Sequence, residues 1–197
     1  MGQAHIGRHI VTDVRAAMSS GGWNAGVALA LAIPDIGGSI EFPKNSVGGR
    51  YRLWAAKYFV PHVTAADVEF LSAEELYRVR CSFLHTGTLR VTARGTREFS
   101  GIVLYEDDVV DVCPGRGSTQ IDSESGREVT YHVGAKQFCE WLCLAAEEWL
   151  DDIQNDDAKQ AALRGAWSVQ RLFFLPSSRL RESPSGSPPV AAADFSV

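Results

Sequence analysis

Residues 71–87 read LSAEELYRVRCSFLHTG, and they decide where a helix starts, where it stops and which of its side chains turn inward. Ser72 followed by Glu75 is a capping box, in which each side chain satisfies a backbone N–H that the first helical turn leaves open. Leu71 and Leu76 stand at the two positions of a hydrophobic staple, and Gly87 suits a C-terminal cap. A helix is therefore expected over 73–86. Turning about 100° per residue, Leu76, Tyr77, Val79, Phe83 and Leu84 form one apolar arc with Arg80 inside it, while Arg78 points away. A guanidinium keeps its proton, so Arg80 needs a carboxylate or a phosphate as partner. His85 lies five residues on, about 140° around the helix, where the helix meets a loop.

Helical spacing extends to both sides of this stretch. Before it, helices are expected at roughly 6–19, 23–33 and 48–60, with Pro34 ending the second and turns at PDIGGS (34–39) and FPKNSVGG (42–49). After it come β-rich runs, GIVLYE (101–106), VVDVC (109–113) and REVTYHV (127–133), the last two separated by the loop PGRGSTQIDSESG (114–126). They predict a small antiparallel sheet or hairpin within 89–133. Phe138, Cys139, Leu142, Ala146, Trp149 and Ile153 recur at helical spacing and predict a long helix over 135–153, followed by another at 157–172. The Pro- and Ser-rich stretch 173–197 buries too little to repay its ordering and is expected to be disordered. The expected fold is mainly α, one helical domain over 1–172 with a small antiparallel β insertion.

Composition narrows the class of function. A chain of 197 residues, 45% hydrophobic, can form a stable core without metal or disulfide. Its net charge of −5 excludes bulk electrostatic coating of nucleic acid, so a polyanion would need a local patch. From Glu74 to Arg97 there are five arginines (78, 80, 90, 94 and 97) against two glutamates, a local +3 that supplies one. Cys81, Cys113, Cys139 and Cys143 match neither a zinc-knuckle nor a secreted disulfide spacing, which points to a reducing cytoplasm. No secretory signal pattern opens the chain, and Ile6 stands where a myristoylation signal needs Ser or Thr. AGVALALAI (25–33) is too short to cross a bilayer, so no membrane is expected.

Arg80, four intervening residues and His85 at the end of a bundle helix resemble the Arg-x(4–6)-His motif of the HEPN superfamily, small helical proteins that include many metal-independent ribonucleases. LYRVRCSFLH (76–85) and RYRLWAAKYF (50–59) also resemble segments of uncharacterised bacterial proteins near that superfamily. The resemblance implies that Arg80 binds the scissile phosphate and that His85 acts as acid and base in attack by the ribose 2′-hydroxyl, with no metal and no cofactor. It further implies a homodimer acting on RNA, in a toxin–antitoxin or defence setting with an antitoxin or neighbouring-gene partner. Arg78, Ser82, Thr86 and Arg90 are the candidate substrate-binding neighbours. This chain departs from active members at Cys81, where Asn, Asp or His often follows the arginine, and at Gly87, where some toxins carry tyrosine. The chemistry is sound in itself: one imidazole can take the 2′-hydroxyl proton, a protonated one can supply the leaving oxygen, and an arginine favours the transition-state charge. The alternative is a catalytically inactive module that binds RNA, a nucleotide or a partner protein, with Arg80 neutralising a buried acid such as Asp13 or Asp35.

The remaining motifs carry weaker chemistry. HIGRH (5–9) has metal-ligand spacing but lacks the glutamate of a zincin, so His5 and His9 are expected at the surface. CEWLC (139–143) puts two thiols on one side of a helix, a pattern assigned to core packing. PGRGST (114–119) lacks the ending of a phosphate loop, and His132 is expected to face solvent or the cleft. Trp23, Trp54, Trp141, Trp149 and Trp167 read as core anchors.

Overall fold

A computed structural model describes residues 8–65, 71–91, 98–106, 118–122 and 126–166. The tail 173–197, the strand expected at 109–113, His5, Trp167 and the last residues of the helix expected over 157–172 lie outside them. The order of elements is α1 (Arg8–Ser19), α2 (Trp23–Glu41), α3 (Val47–Trp54), a π turn (Ala55–Phe59) leading into α4 (Val60–Ala65), and α5 (Ala73–Thr86). Strands β1 (Glu98–Tyr105), β2 (Ser118–Asp122) and β3 (Gly126–Gly134) follow, then α6 (Ala135–Asp152) and α7 (Asp157–Ala166). The expectation of a mainly helical bundle with a small sheet holds. Among the described residues no helix is long and apolar enough to cross a membrane.

The sheet corrects the antiparallel expectation. Its order is β1-β3-β2, with β1 parallel to the central β3 and only β2 antiparallel to it. β2 occupies 118–122, a stretch read as loop because its Ser, Thr, Gln and Asp have little strand pattern of their own. Parallel or antiparallel pairing depends on how the chain returns, which alternation of side chains does not encode. The inward face of β1 and β3, with Phe99, Ile102, Tyr131 and Val133 buried, packs on the helical core.

Helix α5 forms as its caps dictate. Ser72 Oγ accepts from the Glu75 N–H, the Glu75 carboxylate accepts from the Ser72 N–H at 2.8 Å, and Leu71 and Leu76 are both buried. Gly87 closes the helix in the left-handed conformation at φ 71°, a region glycine enters without a Cβ penalty, and its N–H reaches the Phe83 carbonyl.

Helix α2 corrects a second expectation. It does not end at Pro34 but runs on to Glu41, with Pro34, Gly37 and Gly38 buried inside it. A proline in mid-helix withholds its N–H and crowds the preceding turn. Tyr51, fully buried on α3, donates its hydroxyl to the Leu31 carbonyl of that turn at 3.3 Å. The glycines of PDIGGS serve proximity rather than a turn. A Cβ at Gly37 would overlap the Trp54 indole, and one at Gly38 would stand 2.6 Å from the Arg50 carbonyl oxygen. α3 therefore lies directly on the backbone of α2, and Trp54, Tyr58 and Trp149 fill the space beyond with tilted and edge-on rings. The wide π turn falls just ahead of Pro61, where an ordinary turn would need the missing N–H.

Glu41, at the end of α2, ties α7 and the π turn together. Lys57 and Lys159 Nζ lie 3.1 and 2.9 Å from its two carboxylate oxygens, and its side chain is only 8% exposed. Burial works to raise its pKa, but hydrogen bonds from Lys159 and Lys57 outweigh it and hold the group below its ordinary 4.5. A carboxyl whose pKa is lowered by folding stabilises the fold above its unfolded value and loses that contribution as pH falls through the folded value. Glu41→Gln should therefore be less stable than the parent at pH 7, with the gap narrowing once pH drops below about 4.5. Urea melts at pH 7 and pH 3.5 check this; a gap of equal size at both pH values rules out the ionic role.

Candidate functional site

The centre of the site is an ion pair between α5 and the half of α2 beyond Pro34. Arg80 Nε and Nη2 lie 2.8 and 2.7 Å from the same oxygen, Asp35 Oδ2, and both side chains are 20% exposed. The guanidinium's remaining nitrogen, Nη1, is 4.0 Å from Cys81 Sγ. Burial acts against the charge of Arg80, but the hydrogen bond and charge of Asp35 outweigh it and raise its pKa. Asp35 Oδ1 is buried and has no hydrogen-bond partner among the described residues. Of the two acids that could have neutralised Arg80, Asp35 is the one; Asp13 is exposed on α1.

Two tyrosines, Tyr51 and Tyr77, lie within electrostatic reach of this pair. Tyr51 packs on Tyr77 with ring centroids 5.4 Å apart, and Arg52 covers the other ring at 4.3 Å while pairing with Glu74. Burial, followed by the charge of Asp35, pushes the Tyr51 phenol well above its ordinary range. The Tyr77 phenol is raised as well, chiefly by its hydrogen bond with Cys81 and then by burial. Both hydroxyls stay protonated at neutral pH and act as hydrogen-bonding groups.

Compared with known proteins, the chain matches no family model, no curated protein and no solved structure. Function has to be read from the geometry.

The other candidate residues are placed as follows. His85 is exposed in the last turn of α5, so within one chain it faces solvent while Arg80 faces α2. Ser82 Oγ donates to the Arg90 carbonyl, and Thr86 Oγ1 donates to the Ser82 carbonyl at 2.7 Å. Both hydroxyls thus hold the turn that leaves the helix. Arg90 is exposed on a short segment bridged to β1 at Gly101. Arg78, expected to point away from the protein, is instead half-buried. His132 lies outside the core face of β3, with Nδ1 2.5 Å from the Tyr105 hydroxyl and the two rings stacked. His9 is exposed as expected, and Trp54, Trp141 and Trp149 are core residues.

Tyr51, Tyr77 and the particular acid Asp35 were not singled out by pattern. Tyr51 and Tyr77 look like ordinary apolar-face aromatics, and Asp35 sits in a stretch with the composition of a turn. The one signal pointing to Asp35 was the requirement that Arg80 have an anionic partner.

Proposed function

We propose that the chain is a HEPN-like helical module that binds rather than cleaves, with Arg80 held as the structural partner of Asp35. The observation that carries this reading is the engagement of two guanidinium nitrogens with Asp35 Oδ2 at 2.7 and 2.8 Å. A phosphate arriving at Arg80 would meet a cation already neutralised and a carboxylate that repels it. RNA is the ligand best suited to the positive stretch around α5, with exposed Arg90 as its principal phosphate contact and Arg78, Ser82 and Thr86 beside it. A homodimer in a reducing cytoplasm, with a neighbouring-gene partner, remains part of this proposal.

A second reading, the metal-independent ribonuclease, is favoured by one feature. His85 is exposed at the helix end, where a second copy of the chain could bring another imidazole to it. Incubating the purified protein with total RNA in EDTA, beside His85→Ala and Arg90→Ala, separates the two. The binding reading expects intact RNA throughout and, for Arg90→Ala, weaker binding with a salt dependence shallower by about one charge. Cleavage by the parent that disappears in a folded His85→Ala protein establishes the enzyme instead.

A further inference from the structure

Three stretches of chain meet on the side of the sheet that faces away from the helical core. Leu89 and Val91 pack on the core, so Arg90 between them turns outward. Ile102 and Leu104 do the same on β1, and Tyr131 and Val133 on β3, which leaves Val103, Tyr105 and His132 on the outer side. The segment 89–91 lies along β1 as an added strand. The Val91 N–H donates to the Ser100 carbonyl at 2.9 Å and the Ile102 N–H to the Leu89 carbonyl at 3.2 Å, with Arg90 opposite Gly101. Gly101 permits that approach, since it sits at φ 136° and a Cβ there would stand 2.8 Å from the Arg90 Cα. Arg90 is thereby fixed on the same face as the two rings.

Those rings act as one unit. The Tyr105 hydroxyl and His132 Nδ1 are 2.5 Å apart, the ring planes are within 23° of parallel and the centroids are 5.6 Å from each other. Both side chains are partly exposed, and Val103, paired with His132 in the sheet, is 37% exposed. The hydrogen bond holds both rings in one arrangement, which lowers the ordering cost of placing a ligand on them. Along the strand, Gly101 and its neighbour Arg90 lie about 13 Å from Tyr105, four residues at about 3.3 Å each. Glu106, exposed just past the end of β1, repels phosphate. The face therefore has a polarity, with a cation at one end and flat, weakly polar rings towards the other.

We propose that this outer face holds single-stranded RNA, one base lying on the Tyr105–His132 pair and Val103 while a neighbouring phosphate meets Arg90. The inference rests on the RNA-binding reading above and names the form of RNA that is bound. A base inside a duplex has its faces covered by its neighbours, whereas an unpaired base has a face to lay on an aromatic ring. The arginine supplies sequence-independent attraction to either form, and the ring pair supplies the preference for the unpaired one.

The test measures fluorescence anisotropy of the full chain with a labelled twelve-nucleotide RNA, once single-stranded and once as a duplex. Tyr105→Leu should weaken single-strand binding about tenfold while leaving its salt dependence and duplex binding unchanged. Tyr105→Phe keeps the ring and should stay within about threefold of the parent, an outcome that a merely structural role of the hydroxyl would not give. His132→Gln, a second removal of a ring, should also weaken single-strand binding and decides the matter where Tyr105→Leu does not fold by circular dichroism. Unchanged single-strand affinity in the folded ring variants, an equal loss on the duplex, or a Tyr105→Phe protein as weak as Tyr105→Leu overturns the base site. Where Arg90→Ala still weakens binding in that case, the proposed function stands without it; a parent that binds neither RNA overturns both.

Discussion

Asp35→Ala is expected to destabilise the chain by about 3 kcal/mol, because it strands the Arg80 guanidinium in a largely buried setting. The mutual attraction of the pair is smaller than that figure, since forming it costs the hydration of both groups. The loss comes from an unpaired charge that cannot give up its proton. Replacing both partners by apolar residues of similar size, Asp35→Leu with Arg80→Met, should accordingly recover most of the stability. Urea denaturation of Asp35→Leu, Arg80→Met and the double variant closes the cycle, the residues being in direct contact and so expected to couple. A loss under about 1 kcal/mol for Asp35→Ala would make the pair no more than an ordinary surface salt bridge and leave Arg80 available to a ligand. Stability thus bears directly on the proposed function, since a guanidinium held for the fold is one that an anionic ligand does not recruit.

Gly38→Ala is expected to cost about 2 kcal/mol although alanine is the better helix former. Propensity alone favours the substitution by about 1 kcal/mol. Against it stands the Arg50 backbone, with carbonyl oxygen and carbon 2.6 and 2.9 Å from where the new Cβ would sit. Backbone does not yield as a side-chain tip does, so α2 and α3 must part and loosen the packing around Trp54 and Tyr51, with a penalty of about 1–3 kcal/mol or more. Gly165→Ala in α7 is the control, because nothing among the described residues lies within 4 Å of its Cβ position. It should stabilise the chain by roughly 0.5–1 kcal/mol. One chemical change is therefore expected to act with opposite sign in two helices, which thermal or urea melts of both variants will show. A Gly38→Ala protein more stable than its parent would mean that α2 and α3 do not meet this closely.

Both predictions fall where local pattern and tertiary structure part company. Composition suggested a turn at PDIGGS, yet Pro34 and the two glycines lie within a buried helix. Tyr51, far off in sequence, donates to the Leu31 carbonyl in the turn just before that proline. The glycines are there because α3 lies against them. Extending α2 past Pro34 is also what carries Asp35 to Arg80, so the misplaced helix end and the open choice between Asp13 and Asp35 have one cause. The sheet repeats the lesson: β3 was visible as an alternating run, while the pairing direction of β1 and the very existence of β2 were not.

Taken by itself, the sequence determined the start, register and end of α5, the long helix α6, the burial of three of its tryptophans, and the need of Arg80 for an anion. These follow from caps, helical periodicity and the fixed charge of arginine, all of which act within a few residues of chain. Only the tertiary structure decided that the anion is Asp35 and that α2 passes through its proline. Each of those depends on side chains distant in sequence meeting in space, where close packing and the cost of an unpaired buried charge override local preference.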